Sequence, residues 1–599
     1  MNILRIFTFG LVLCASVCQA NPAALVDPFF SYTRAEQYDS VAKSSGIQVP
    51  VRLPEGGSST ISCTLYQPAK NGIAVSGKFP GIVQDYFAYH LVSLIFGWKG
   101  HFDFFPKHGY NVINCDPPGS GSSPGILDQF GPAETLANYD LIEWFAVQPY
   151  SDGNIGQQGS SYGGHTTNKV AALHPPHLKA IVPNSSMSDW YEQTIYHGGI
   201  RNESIAYQTW AMPIAAFGGS NFTGATKGIR RDHLQRYGEH PLYDDYWRGH
   251  SVKPHWATYT VPALITDGWN DRYKNGTIEN YQARNENVWL LLGPWGHSSY
   301  TGTSAVGTLE ETSHQLAWYD YWLKHLPGAT LPRQKITSFE MPDDVSNAGW
   351  QQYPDWPPPS AKVTRMYFTS SKTLVAAVGT QPSSLKWQVK ADDTGSDPAS
   401  GKQKQGVDQA SADAAPYRLA FTSTPMKSET VVAGSINVYL KTSFSSNGGN
   451  LVARLMEVQA NGKVVQISTG WLKASHYKGH DHLERIVAGQ PYDMQVQLLA
   501  THWRFRKGSS IRISLSSGDV PDAIADASAG TVSVAVGGED SSYAEIPFLI
   551  DAAPSPGSAQ RSRESQTLRH PRLAANSAAN QATSHASVCR STAKARCAT

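Results

Sequence analysis

Between about residues 77 and 327 the chain alternates short apolar runs with stretches in which apolar positions recur at helical spacing. Residues 79–84, 110–115, 178–182, 262–266 and 288–292 are predicted as buried strands, and 136–147 and 315–326 as helices between or after them. This order of elements predicts an α/β domain with a mostly parallel sheet and helices on both faces, whose chemistry lies at the carboxyl ends of the strands. The alternation lapses between about residues 186 and 255, a segment rich in Trp, Tyr, Arg and His. It reads equally as a helical cap inserted over a site and as a plain surface insertion. After Pro354-Asp355-Trp356-Pro357-Pro358-Pro359, expected to be a stiff linker, the pattern changes to β-branched runs at 435–442, 451–458, 464–468 and 510–514. Asn461-Gly462 between two of them predicts a type I′ hairpin, and the whole predicts a β-sandwich of jelly-roll type, similar to galactose-binding domains. The expected organisation is a catalytic domain over 45–350 with its insertion at about 186–255, then a β-domain over 360–550. A tail of Ala, Ser, Arg and Gln over 553–599 has too few large apolar residues to build a core and is expected to be disordered and basic.

Composition narrows this picture modestly. The chain has 599 residues, 49 Lys and Arg against 48 Asp and Glu, and a net charge of +1, which gives no electrostatic invitation to nucleic acid. Arg5, the apolar run 6–17 and Cys18-Gln19-Ala20 read as a signal peptide over 1–20, with cleavage expected before Asn21. No later stretch has the length of a membrane helix, so export to the periplasm or the extracellular space is expected. Cys63, Cys115, Cys589 and Cys597 remain after cleavage, at spacings that fit no zinc pattern. Cys63 could pair with Cys115, and Cys589 with Cys597, although Cys115 reads equally as a buried free thiol.

The candidate chemistry begins with two matches to G-x-S-x-G, at residues 121–125 and 159–163. A serine nucleophile on a tight turn takes its first oxyanion donor from the backbone N–H of the following residue. Pro124 has no N–H and Tyr162 has one, which selects Ser161 over Ser123. A helix is predicted to follow over 165–173, although the preceding strand, 154–158, is more polar than a central strand usually is. A serine needs a base and an orienting acid, which in such sheets follow in that chain order as acid and then His. The strand at 262–266 runs into Asp267 and Asp271, and the strand at 288–292 runs into His297. Spacing leaves Asp267 and Asp271 as alternatives.

These segments carry a specific resemblance. Residues 159–164 (GSSYGG), 268–271 (GWND), 293–297 (GPWGH), 140–144 (DLIEW), 148–153 (QPYSDG) and 318–324 (WYDYWLK) resemble motifs of the CocE/NonD acyl hydrolases. That family includes cocaine esterase and shares its fold with X-Pro dipeptidyl-peptidases and α-amino-acid ester hydrolases. The resemblance covers about residues 45–550 and implies an α/β-hydrolase fold with a cap and a C-terminal jelly roll, the acid at Asp271, and no cofactor or metal. The second match, within 115–125 (CDPPGSGSSPG), resembles a structural loop of the family, with Pro118 where Arg is usual. The family's second oxyanion donor, a tyrosine hydroxyl after an early strand, falls on Tyr86, with Phe87 and Tyr89 close by and a buried packing tyrosine as the plain alternative.

The resemblance implies acyl transfer to water, with a small ester, an amide or a short peptide as substrate. Relatives that bind an α-amino group use acidic side chains after the triad acid, whereas this chain has Arg272-Tyr273-Lys274. Arg272 and Lys274, if not simply facing solvent, favour a carboxylate over an ammonium, which makes an ester or amide acyl hydrolase the first expectation and an X-Pro dipeptidyl-peptidase the second. Glu192 or Glu203 of the insertion could still recognise an amine. A secreted carbohydrate-binding protein on an inactive hydrolase scaffold is a third expectation.

Overall fold

A computed structural model describes residues 27–550 apart from 90–100, 203–234, 284–285, 301–306, 343–348, 392, 394–407, 412, 414–415, 521 and 526–529. The expected signal peptide, the tail, Cys589, Cys597, Glu203 and much of the insertion lie outside the described residues. Among the described residues no helix is long and apolar enough to cross a membrane.

The strands are β1 (Ser40–Arg52), β2 (Ser58–Lys70), β3 (Ile73–Ala74), β4 (Phe79–Gln84), β5 (Asn111–Cys115), β6 (Ser151–Ser160), β7 (Leu178–Asn184), β8 (Tyr196–His197), β9 (Ile200–Arg201), β10 (Ala263–Gly268), β11 (Val288–Gly293), β12 (Ile336–Phe339) and β13 (Trp350–Tyr353). All but β8 and β9 join one sheet in the order β1-β2-β5-β4-β6-β7-β10-β11-β12-β13, with β3 on β2. The run from β5 through β12 is parallel, and β1, β2 and β13 are antiparallel additions. Parallel neighbours need crossovers, and helices α2 (Pro132–Ala146), α3 (Tyr162–Ala171), α5 (Lys274–Gln282) and α6 (Glu311–Trp322) supply them. The single turn α1 (Phe104–Lys107) precedes them, and α4 (Asp245–His250) belongs to the insertion. Every residue of β10 and β11 is buried, as helices on both faces require.

Cys63 and Cys115 face each other across β2 and β5 and form a disulfide, which decides that alternative against a free thiol. The insertion contributes the turn Tyr191–Ile195, the β8–β9 hairpin and α4. Its rings join a core shared with the sheet domain: Tyr191 meets Tyr196, Tyr243 and Trp247, and Trp190 packs on Phe130.

The second half is two antiparallel sheets of nine and four strands. Phe368 of one sheet stacks on Phe421 of the other with ring centroids 4.3 Å apart, so the sheets face each other there. Two local expectations change. The loop between strands Asn450–Val458 and Val464–Lys473 has only Gly462 at positive φ (88°), so it is not type I′, which needs both central residues there. The expected stiff linker is packed instead: Trp356 is buried between Trp269 and His502.

Candidate active site

Strand β6 ends at Ser160, and α3 starts at Tyr162 with Ser161 as its N-cap at φ 58°, ψ −113°. A left-handed serine is a strained conformation, and the surroundings hold it. The Ser161 N–H donates to the Asn184 carbonyl (2.9 Å), and the Ser161 carbonyl accepts from the His165 N–H (2.9 Å). Two glycines make room. A Cβ on Gly159 would lie 2.7 Å from the Gly163 backbone, and one on Gly164 would lie 2.3 Å from the Asn184 carbonyl oxygen. The polarity of β6 has a physical reason: Gln158 donates to Gln84 (2.5 Å) and Gln315 (3.2 Å), Gln84 donates to Asp85 (2.7 Å), and Asp85 accepts the Ser160 N–H (3.3 Å). This network borders a polar cavity of about 90 Å³ behind the turn, in which burial pushes the Asp85 carboxyl up to about 6.

His297 follows β11 and stands over Ser161, with Nε2 2.7 Å from Ser161 Oγ and Nδ1 2.5 Å from Asp271 Oδ2. Asp271 is therefore the acid that reaches the ring. Burial alone would push its carboxyl up, but His297, the Tyr273 N–H (2.6 Å) and the Arg272 charge draw it below its ordinary value. Tyr273 packs edge-on against the imidazole, with centroids 5.3 Å apart. An anionic acid on Nδ1 holds the ring in the tautomer whose Nε2 can take the serine proton. Asp267 is turned away into a buried pocket of hydroxyls formed by Ser185 and Thr277.

The N–H of Tyr162, at the first turn of α3, follows the serine as an oxyanion donor must. Its ring is anchored by Glu134 at the start of α2, which accepts from the Tyr162 hydroxyl (2.5 Å) and the Phe130 N–H (2.5 Å). Burial pushes the Glu134 carboxyl up to about 8. Tyr86 is a correction: its side chain is fully buried and its hydroxyl donates to the Glu134 carbonyl oxygen (3.3 Å), which is the packing role rather than a place at Ser161. Lys274 is another. It opens α5 with its ammonium turned inward onto the Trp269 carbonyl (2.8 Å), 1% exposed, so it offers no charge to a substrate. Arg272 lines a cavity of about 270 Å³ walled by Trp471 and shared with Asp189, Glu192 and Glu279. Ser123 is structural, donating to the Asp116 carbonyl (2.6 Å) and accepting from the Ser62 N–H (2.9 Å). Nothing in the sequence singled out Glu134 or Asp85, because the contacts that tie them to the turn, with Tyr162 and Ser160, span 28 and 75 residues.

Residues 56–299 match the X-Pro dipeptidyl-peptidase (S15) family and residues 333–538 its C-terminal non-catalytic domain. The chain is 25% identical to a cocaine esterase of Rhodococcus over 474 residues, covering 70% of this chain and 82% of the relative. It is 23% identical to a putative Xaa-Pro dipeptidyl-peptidase of Bacillus anthracis, covering 83% and 84%. Among solved structures, a CocE/NonD family hydrolase of Staphylococcus aureus superposes with a TM-score of 0.69 at 20% identity, covering 86% of this chain and 99% of that one. An α-amino acid ester hydrolase also superposes with a TM-score of 0.69, at 18% identity, covering 86% and 98%.

Proposed function

Since the chain belongs to the S15 and CocE/NonD serine hydrolases, we propose that it hydrolyses carboxylic esters or amides through an acyl-enzyme on Ser161. The observation that carries this reading is the hydrogen-bonded line from Asp271 through His297 to a strained Ser161. His297 takes the Ser161 proton as Oγ attacks the carbonyl, and the Tyr162 N–H faces the developing oxyanion. His297 then returns the proton to the leaving group. Water, deprotonated by the same ring, releases the acyl group and restores the serine. In this reading the first sheet is an α/β-hydrolase sheet, the insertion is its cap, and the paired C-terminal sheets are a jelly roll. Export accords with the N-terminal apolar run and with the disulfide between Cys63 and Cys115. The mature protein is then expected to start near Asn21, which its N-terminal sequence checks.

An X-Pro dipeptidyl-peptidase remains the second reading, and one observation favours it. With Lys274 turned inward, Arg272 shares its cavity with three acids, so the charge argument against a peptide amine loses its footing. The test is a panel of p-nitrophenyl acetate, p-nitrophenyl butyrate, a glutaryl anilide and Gly-Pro-p-nitroanilide, run on wild type and Ser161→Ala. The variant is expected to lose at least about 10⁴-fold in kcat. Turnover of the first three that survives in the variant overturns the nucleophile, and turnover confined to Gly-Pro-p-nitroanilide selects the peptidase.

A further inference from the structure

The buried carboxyl of Asp267 takes no part in the mechanism above, yet four groups converge on its surroundings. Asp267 Oδ1 accepts from the Gly268 N–H (2.7 Å) and the Ser185 hydroxyl (3.0 Å), and Oδ2 lies 2.6 Å from Thr277 Oγ1. Thr277 Oγ1 is also 3.1 Å from the Ser186 carbonyl oxygen and 3.3 Å from the Ser186 N–H. A hydroxyl has one proton and two lone pairs, and a carbonyl can only accept. If Thr277 gives its proton to Asp267, the buried Ser186 carbonyl loses that donor. If Thr277 donates to Ser186, the contact with Oδ2 is a hydrogen bond only when Asp267 carries the proton. The second assignment satisfies every group around Thr277: Asp267 Oδ2–H donates to Thr277, Thr277 donates to Ser186, and Thr277 accepts from the Ser186 N–H.

The other side of the carboxyl leads to the base. The Ser185 hydroxyl lies nearer Asp267 Oδ1 (3.0 Å) than Asn184 Oδ1 (3.3 Å) and donates to the former, while it accepts the backbone N–H of Ser298 (3.1 Å), the residue after His297. Ser185 and Ser298 are both non-glycine residues at positive φ, 48° and 55°. Each is strained, and their mutual bond holds the backbone from which the imidazole projects.

We infer that Asp267 is an uncharged carboxylic acid that positions His297 through Ser185 and leaves Asp271 as the single negative charge beside the ring. The inference rests on the reading of Ser161 and His297 given above. The titratable groups that face Asp267 agree with it. Asp271 on its own loop is drawn below its ordinary value by His297 and the Tyr273 N–H, Tyr300 from the segment after His297 presents a hydroxyl to neighbouring Thr266 (2.7 Å), and Lys274 of α5 is committed to the Trp269 carbonyl. Burial first and the Asp271 charge second push the Asp267 carboxyl well above its ordinary range. Two adjacent buried carboxyls resist double ionisation, and here the hydrogen bonds decide which one keeps the proton.

The experiment follows the rate at which a fluorophosphonate modifies Ser161 between pH 5 and 9 in full-length wild type, Asp267→Asn, Asp267→Ala and Ser185→Ala, with Ser161→Ala as control. The Asn side chain keeps the shape and every hydrogen bond of a neutral acid, so Asp267→Asn, its intact mass checked for deamidation, is expected within about threefold of wild type with the acid limb of its pH profile unmoved. Asp267→Ala and Ser185→Ala are expected to react roughly tenfold more slowly or worse, because the ring is no longer held. A charged Asp267 would instead hold the ring protonated to higher pH, so a downward move of the acid limb by about one unit in Asp267→Asn overturns the inference. Wild-type rates in Ser185→Ala overturn it too, even where Asp267→Ala fails to fold. Modification that persists in Ser161→Ala is a different result: it removes the nucleophile, and this inference falls with it.

Discussion

At the scale of single residues, the turn at Ser161 depends on what its neighbours lack. Gly159→Ala and Gly164→Ala each press a methyl group into backbone, and each is expected to cost roughly 1–3 kcal/mol in urea unfolding and to lower activity with it. Tyr86→Phe removes a hydroxyl bonded only to a carbonyl among the described residues, so kcat is expected to change less than about threefold, whereas a loss of a hundredfold or more would return the oxyanion role to that hydroxyl. Asp85 gives a pH signature. Its folded value is about 6 against 3.8 for the free side chain, so the folded state holds the proton more tightly, and its contribution is present below 3.8 and lost as pH rises through about 6. Asp85→Asn is expected to abolish that decline, gaining roughly 3 kcal/mol relative to wild type between pH 4 and 7 in chemical denaturation. Ser161 and His297 were legible because both follow strands within short motifs, and the resemblance added Asp271. Lys274 and Tyr86 were misplaced because the direction of a side chain at a helix start or strand end is set by packing partners far along the chain.

At the scale of elements, the strands and helices around the turn matched their apolar pattern, and the departures have physical causes. Strand β6 was too polar for the pattern because Gln158 satisfies Gln84 and Gln315 inside the sheet layer. The segment around Trp356 looked like a spacer because proline composition reports stiffness and says nothing of a tryptophan buried within it. In the β-domain, strand Asn450–Val458 carries Arg454, wholly buried and paired to Asp519 (2.8 Å), whose other oxygen accepts from Trp471 (2.9 Å). Arg454→Met strands the Asp519 charge and is expected to destabilise by about 3–5 kcal/mol in urea unfolding, while adding Asp519→Leu recovers most of the loss.

At the scale of the whole molecule, the two halves between residues 27 and 550 share hydrogen bonds rather than a mere tether. Across the junction the Met341 N–H donates to the His502 carbonyl (2.8 Å) and the Met341 carbonyl accepts from the Arg504 N–H (2.7 Å), the Lys473 N–H donates to the Gly198 carbonyl, and His480 meets Glu192 at 2.8 Å. The last pair is partly exposed, with His480 raised and Glu192 lowered from their ordinary values. The raised His contributes below pH 6.5 and fades as pH rises through its folded value; the lowered Glu contributes above pH 4.5 and fades on acidification. His480→Ala is therefore expected to speed hydrogen exchange over residues 191–197 at pH 6 and to change little at pH 9. The disulfide has a consequence of another kind. It closes a loop of 52 residues that contains all of β4 and Asp85, and by loop-closure entropy it is worth roughly 4 kcal/mol. Protein made in a reducing cytosol lacks that constraint, so a preparation's free-thiol count becomes a measure of its history, and two laboratories assaying the same chain from different hosts will be comparing two different molecules unless they count thiols first.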